Sequence, residues 1–295
     1  MSLVEKALGK ARSNSLRKAA SEVAEAAAPV EAAPRVVSPP AERVARKPQL
    51  VIGDETLRRA GLYPPNELPH QLAAECRNIK RGLLNELERA EGRNSNVTLI
   101  TSVLAGEGKT FTAFHLALSM AKDPDFSVLL IDADTVRPRI SRALGVDERP
   151  GLVDAAFDAM VDVESLVLTT NIEGLSFLPV GRHDVEATDL FASQQMQRVM
   201  GRLSETSGRL IVMDSLPLLQ TTEALALVAN ADAVLVVVRA GVTPRAAIVE
   251  ALEQLSDHPR VMTVLNAAEP TLLGKYLGHG YGYHDYSAYA VPKNR

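Results

Sequence analysis

The stretch VTLITSVLAGEGKTF at residues 97–111 decides the fold. Val97 to Thr101 are apolar or β-branched in near-continuous succession, the pattern of a strand buried on both faces. Gly106-Glu107-Gly108-Lys109-Thr110 follows after a short turn, and a helical pattern runs from Thr110 to Ala121. A strand, a glycine-rich turn and a helix in succession gather backbone N–H groups and a helix N-terminus at one point, which makes an anion cradle. Gly106 and Gly108 let the chain approach a phosphate closely. Lys109 can reach β- and γ-phosphate oxygens, and Thr110 can offer its hydroxyl to Mg²⁺. The general pattern GxxxxGK[ST] has glycine at its first position, where this chain carries Val103.

Outward from this loop the pattern repeats. Further apolar strand runs lie at 127–131, 209–213, 233–238 and 261–265, with a shorter one at 175–180. Helical patterns lie between them at 110–121, 151–160, 189–206, 221–229 and 244–256, and another runs from Leu72 to about Glu88. This alternation predicts an α/β domain with a mainly parallel sheet covered on both faces. Such sheets bind ligands beyond the carboxyl ends of their strands. Asp132 and Asp134 follow one strand, before Arg137 and Pro138, and Asp214 follows another. A lone aspartate there is usually a cap or turn residue. Three of them beside a glycine-rich GKT loop point instead to a nucleotide and Mg²⁺, a hard ion held by one or two carboxylates together with phosphates and water.

Composition excludes other classes and exposes an oddity. No apolar run approaches the ~18 residues of a membrane span. The N-terminus has no apolar signal region followed by a cleavage site, and one cysteine, Cys76, allows neither a disulfide nor a cysteine metal site. Cytosolic residence is the default expectation. A net charge of −4 argues against general nucleic-acid binding. Residues 1–48 carry nine Lys/Arg and five Glu, a net +4 against −8 for the remaining 247. Leu3, Val4, Ala7, Leu8 and Ala11 predict a short amphipathic helix within 1–20, suited to a partner or an acidic membrane surface. The Pro/Ala-rich segment 21–68 reads as a disordered linker, irregular over 49–68 as well. The domain proper is expected over 69–270. Five of the six tyrosines, Tyr276, Tyr281, Tyr283, Tyr286 and Tyr289, fall in the last twenty residues among glycines. A tail at 271–295 with this composition builds no core.

The GEGKT loop, the LLIDAD…RP segment and the IVMDSLP segment together resemble the bacterial tyrosine kinases of capsule and exopolysaccharide synthesis. The opening MSLVEKALGKA and the R-x-I-K-R helix resemble, more narrowly, exosortase-associated tyrosine autokinases. The resemblance spans about residues 72–270, the first twelve residues and the tyrosine tail. It implies a P-loop NTPase fold with Walker A, A′ and B motifs. It implies that Lys109, Asp132, Asp134 and Asp214 are catalytic, with Asp132 polarising the tyrosine hydroxyl. Gly106, Glu107, Gly108, Lys109, Thr110, Phe111 and Asn266 would bind ATP, Asn266 near the adenine, and Thr110, Asp132 and Asp214 would hold Mg²⁺. The five tail tyrosines become phosphoacceptors, reached in a neighbouring copy. Seventeen residues from Asn266 to Tyr283 give a root-mean-square reach of roughly 20–25 Å. The implied partners are other copies of the chain and a separate transmembrane co-polymerase that recruits it to the inner face of the membrane.

Several positions depart from that pattern. Ala74 stands where an oligomer helix of this group carries Glu, though Glu75 is adjacent and Arg77 and Lys80 are in place. Ala105 and Leu216 replace prolines. A partitioning-type switch ATPase would carry lysine at position 104, where this chain has leucine. A non-catalytic nucleotide-binding adaptor would not need Lys109, Thr110 and all three aspartates. His115 reads as a packed helix residue, His279 and His284 lack metal-site spacing, and Cys76 reads as a small packing residue.

Overall fold

The computed structural model describes residues 49–64, 69–89, 96–182 and 187–268. The expected N-terminal helix, the linker over 21–48 and the tyrosine tail lie outside them. Among the described residues there are seven strands: β1 Val97–Ser102, β2 Ser127–Asp132, β3 Leu168–Thr169, β4 Leu175–Leu178, β5 Arg209–Pro217, β6 Ala233–Arg239 and β7 Val261–Asn266. They form one sheet in the order β3-β4-β2-β5-β1-β6-β7. Only the two-residue β3 runs antiparallel, against β4.

The period of two along the central strands explains why one sheet serves two cores. In β2, Leu129 and Ile131 join one core while Val128 and Leu130 join the other. Strand β5 splits likewise, with Ile211 and Met213 on one face and Leu210 and Val212 on the other. Strand β6 sends Val234, Val236 and Val238 one way and Ala233, Leu235 and Val237 the other. Each such side chain, fully buried, contributes roughly 1.5–3 kcal/mol, so the central strands dominate the stability. Edge strand β7 leaves Leu265 63% exposed and contributes less.

The helices are α1 Asp54–Ala60, α2 Pro69–Glu88, α3 Lys109–Ala121, α4 Arg139–Ala143, α5 Leu152–Phe157, α6 Val163–Leu166, α7 Ala187–Phe191, α8 Gln194–Ser204, α9 Thr222–Val228 and α10 Arg245–Glu253. Two expected helices differ for local reasons. The pattern over 189–206 divides into α7 and α8 because Ser193 turns extended and its Oγ accepts the Met196 N–H at 3.1 Å, capping α8. The one over 151–160 stops at Phe157, where Asp158 turns extended.

The largest correction concerns residues 49–64, expected to be linker. Leu50, Ile52, Leu57 and Leu62 are all buried. Leu50 bridges Thr170, and Asn171 accepts the Ile52 N–H at 2.7 Å through its side chain. Helix α1 has acidic residues in its first turn, Arg58 and Arg59 in its last, and Gly61 closing it at φ +68°. Those end signals are ordinary helix punctuation; the surrounding prolines masked them. This strap packs on α3, where His115 Nε2 bonds the Leu62 carbonyl at 2.8 Å.

Candidate functional site

The site forms where β1 gives way to α3. The β1–β5 register shifts between Ile100 and Ser102, and the Ser102 carbonyl accepts the Leu218 N–H at 2.8 Å. The freed chain turns through Gly106 and Gly108, at φ +83° and +98°, backbone angles that favour glycine. A Cβ on Gly108 would also sit 2.1 Å from Asn266 Nδ2. No side chain caps α3, so its first N–H groups are left for an anion.

Glu107 and Asn266 shape this loop. The Glu107 carboxylate accepts the Leu104 N–H at 2.9 Å and the hydroxyl of Thr243. Asn266, at the end of β7, donates from Nδ2 to the Glu107 carbonyl at 2.8 Å. Glu107 is thus a buried brace tying the loop to the β6–α10 turn, and its carboxylate is committed to the protein. Phe111, expected in the nucleotide set, instead sends its ring to the α1–α2 side of the sheet, 4.3 Å from the ring of His115.

Lys109 Nζ lies 2.7 Å from Asp134 Oδ2, 3.3 Å from Thr110 Oγ1 and 3.8 Å from Asp214 Oδ1. Asp132 and Asp214 are direct partners in the β2–β5 register and neither is exposed. Their surroundings differ. Asp132 Oδ2 accepts from Ser141 N at 2.8 Å and Ser141 Oγ at 2.9 Å, and its Oδ1 accepts from Asp134 N at 3.3 Å. Among the described residues neither oxygen of the buried Asp214 carboxylate has a partner in hydrogen-bond geometry, although the Thr110 hydroxyl beside it favours its charged form. Burial raises the pKa of Asp132, the charge of Asp214 adds to that, and the Ser141 bonds offset only part. Burial raises Asp214 as well, against the pull of Lys109. Burial opposes the charged ammonium of Lys109, but Asp214 and Asp134 outweigh it and hold its pKa above the usual lysine value.

One ammonium therefore faces three carboxylates, and one of these has unused oxygens beside the Thr110 hydroxyl. That arrangement fits a hard divalent cation carried in by a polyphosphate. Among the described residues, no group of three or more His, Cys, Asp or Glu could hold a metal by itself. Asp132, expected on the metal, is instead occupied by protein donors, leaving Asp214 and Thr110 as the better pair.

The structure thus gathers Gly106, Glu107, Gly108, Lys109, Thr110, Asp132, Asp134, Asp214 and Asn266 at one edge of the sheet. The acceptor tyrosines lie outside the described residues. Sequence reading missed Ser141 and Thr243, whose partners are distant or loop-dependent and leave no local signal. Of the expected oligomer helix, Lys80 bonds Asp123 within the chain at 3.2 Å, while Arg77 is exposed. Among the described residues, no helix is long and apolar enough to cross a membrane.

No protein-family model matches the chain. It is 28% identical over 247 residues to the putative tyrosine-protein kinase EpsB of Ralstonia solanacearum, covering 82% of this chain and 32% of EpsB. The chain therefore spans about a third of that relative's length. It is 30% identical over 170 residues to the tyrosine-protein kinase CpsD of Streptococcus agalactiae, covering 56% of this chain and 71% of CpsD. Among solved structures, the VpsO kinase domain superposes with a TM-score of 0.59 at 25% identity, over 68% of this chain and 95% of that one. The kinase domain of the Escherichia coli tyrosine kinase ETK shares the fold, with a TM-score of 0.58 at 19% identity over 79% of this chain and 94% of that one.

Proposed function

The chain belongs to the bacterial tyrosine-protein kinases, and from that premise we propose that it transfers the γ-phosphate of ATP to the tail tyrosines Tyr276, Tyr281, Tyr283, Tyr286 and Tyr289. The observation that supports this reading most is the buried Asp214 carboxylate, without a hydrogen-bond partner beside Lys109 and Thr110 at the head of α3. Phosphoryl transfer needs positioning and charge stabilisation more than covalent chemistry from the protein, and these residues supply both. The loop backbone receives the phosphates. Lys109, paired with Asp134, turns its ammonium to the phosphate oxygens and so releases that carboxylate. Asp132, with Asp134 beside it, takes the proton from the incoming tyrosine hydroxyl as its oxygen attacks phosphorus and ADP leaves. Thr110 and Asp214 would hold Mg²⁺, which when bound would neutralise phosphate charge.

Five phosphotyrosines would add roughly −8 to −10 charges, which at least doubles the net charge of −4. Repulsion among such tails offers a physical basis for a phosphorylation-driven assembly cycle among copies of the chain. We place this cycle under a transmembrane co-polymerase, in the control of exopolysaccharide polymerisation and export at the inner membrane face. The narrower placement among exosortase-associated autokinases rests on sequence features alone.

The test is to incubate the purified protein with Mg-ATP and probe for phosphotyrosine, with Lys109→Ala as control and a second protein carrying all five tail tyrosines as Phe. Label that needs Lys109 and the tail tyrosines is expected. ATP turnover without label would indicate a switch ATPase, and the absence of both an adaptor. Unchanged label in the five-Phe protein would remove the acceptor assignment.

A further inference from the structure

Asp132 is held by a residue that neither the glycine loop nor the aspartate motifs contain. Ser141 lies nine positions on, in α4, and is fully buried. Its backbone N–H and its hydroxyl both reach the same carboxylate oxygen, Asp132 Oδ2, at 2.8 and 2.9 Å. The hydroxyl oxygen accepts in turn from the Val180 N–H at 3.2 Å, just past β4. With a backbone donor on its lone pair, the Ser141 hydroxyl has its proton directed at Asp132. Together with the Asp134 N–H on Oδ1 at 3.3 Å, donors reach both oxygens and so set the plane of the carboxylate.

We propose that Ser141 is a positioning residue for phosphotransfer: it fixes the orientation of Asp132 and couples it to the packing of α4 against the end of β4. The proposal rests on the phosphotransfer reading above and deepens it. A carboxylate buried next to a like charge across the strand pair has reason to rotate away; two donors on one oxygen prevent that. Misplacing a reacting group by about 1 Å can cost on the order of 100-fold in rate. The effect falls on the reacting geometry and leaves nucleotide capture alone, since no Ser141 atom bonds the glycine loop, Lys109 or Thr110 in the hydrogen bonds described above.

The isosteric pair Ser141→Thr and Ser141→Val separates positioning from packing, because the two differ only in the hydroxyl. Full-length proteins are assayed for the rate constant of phosphotyrosine formation at saturating Mg-ATP, for half-saturating ATP, for nucleotide affinity by equilibrium titration, and for melting temperature. We expect Ser141→Val to lose on the order of 100-fold in rate constant with nucleotide affinity and half-saturating ATP near wild type, and Ser141→Thr to restore the rate. Ser141→Ala, which adds no methyl groups, gives the same comparison should the valine protein not fold. A rate constant per folded molecule that stays at wild type without the hydroxyl overturns the proposal, as does a loss confined to melting temperature or nucleotide affinity. Should the wild-type protein form no phosphotyrosine, the kinase reading fails separately, and the same split is then read on Mg-ATP hydrolysis.

Discussion

Two buried polar clusters sit on α3, two turns apart, and they are built on opposite terms. At the first turn, Lys109 and three aspartates lie together with more negative than positive charge, and one carboxylate has no hydrogen-bond partner. At His115 the polar group is neutral and satisfied, bonding the Leu62 carbonyl between the rings of Phe111 and Phe114. A buried carboxylate whose oxygens make no hydrogen bond costs stability, and a fold keeps one where it serves chemistry. A satisfied histidine under a packed strap contributes stability. The first cluster should therefore govern rate and the second the persistence of the fold.

The sharpest way to break that contrast is Asp214→Asn. Transfer of phosphate should fall by about 100- to 1000-fold, because the oxygens that suit Mg²⁺ are halved and neutralised. The melting temperature of the nucleotide-free protein should change little, since a buried carboxylate without a hydrogen bond is removed while Lys109 keeps Asp134 at 2.7 Å. Calorimetry showing a large loss of stability with transfer retained would reverse the roles of the two clusters. Next in size is Leu62→Ala in the strap, where Leu62 is 3% exposed. Removing a buried leucine side chain costs about 2–5 kcal/mol, so the midpoint of urea unfolding should drop clearly while the transfer rate per folded molecule stays near wild type. A selective loss of rate in this variant would show the strap acting on the glycine loop.

A further variant tests the loop itself. Gly108→Ala places a methyl group within 2.1 Å of Asn266 Nδ2, at a φ of +98°, so both strain and collision oppose it. Nucleotide affinity should weaken and the β7 end should loosen together, measurable as faster amide exchange in β7. Unaltered affinity would mean that Asn266 can yield freely, and that its bond to the Glu107 carbonyl does not hold the loop.

The two clusters also differ in how far they could be read from sequence. Lys109 and Thr110 are legible because a glycine-rich turn joins an apolar strand to a helix there, and Asp132, Asp134 and Asp214 because they close apolar runs that a parallel sheet brings to one edge. The strand runs are equally legible, since period-two burial on both faces leaves near-continuous apolar segments. The strap is not. Leu50, Ile52, Leu57 and Leu62 follow neither period, and Pro64, Pro65 and Pro69 obscured the end signals of α1. The sequence places Glu107 in the loop but not its brace, because its bond to Thr243 joins residues 136 positions apart. Ser141 has no local signal, since its contact depends on α4 folding back over the end of β2.

The smallest expected effect concerns pH and isolates the second cluster. A carbonyl can only accept, so His115 Nε2 carries the proton, and the other ring nitrogen is bare in the neutral form. Burial lowers the pKa of His115 below its usual value, Lys122 adds to that, and the bond to Leu62 offsets part. The unfolded chain then binds a proton that the folded chain does not, in the window between the depressed value and about 6.5. Stability from this residue is thus present above about pH 6.5 and lost as pH falls through that window. His115→Gln retains a donor for the Leu62 carbonyl without a titrating ring. Its melting temperature should fall less than the wild type's between neutral pH and pH 5.5. The aspartates at the head of α3 are common to both proteins, so the difference reports the His115 cluster alone. A parallel fall in the two proteins would mean that His115 is not the group whose protonation loosens the strap.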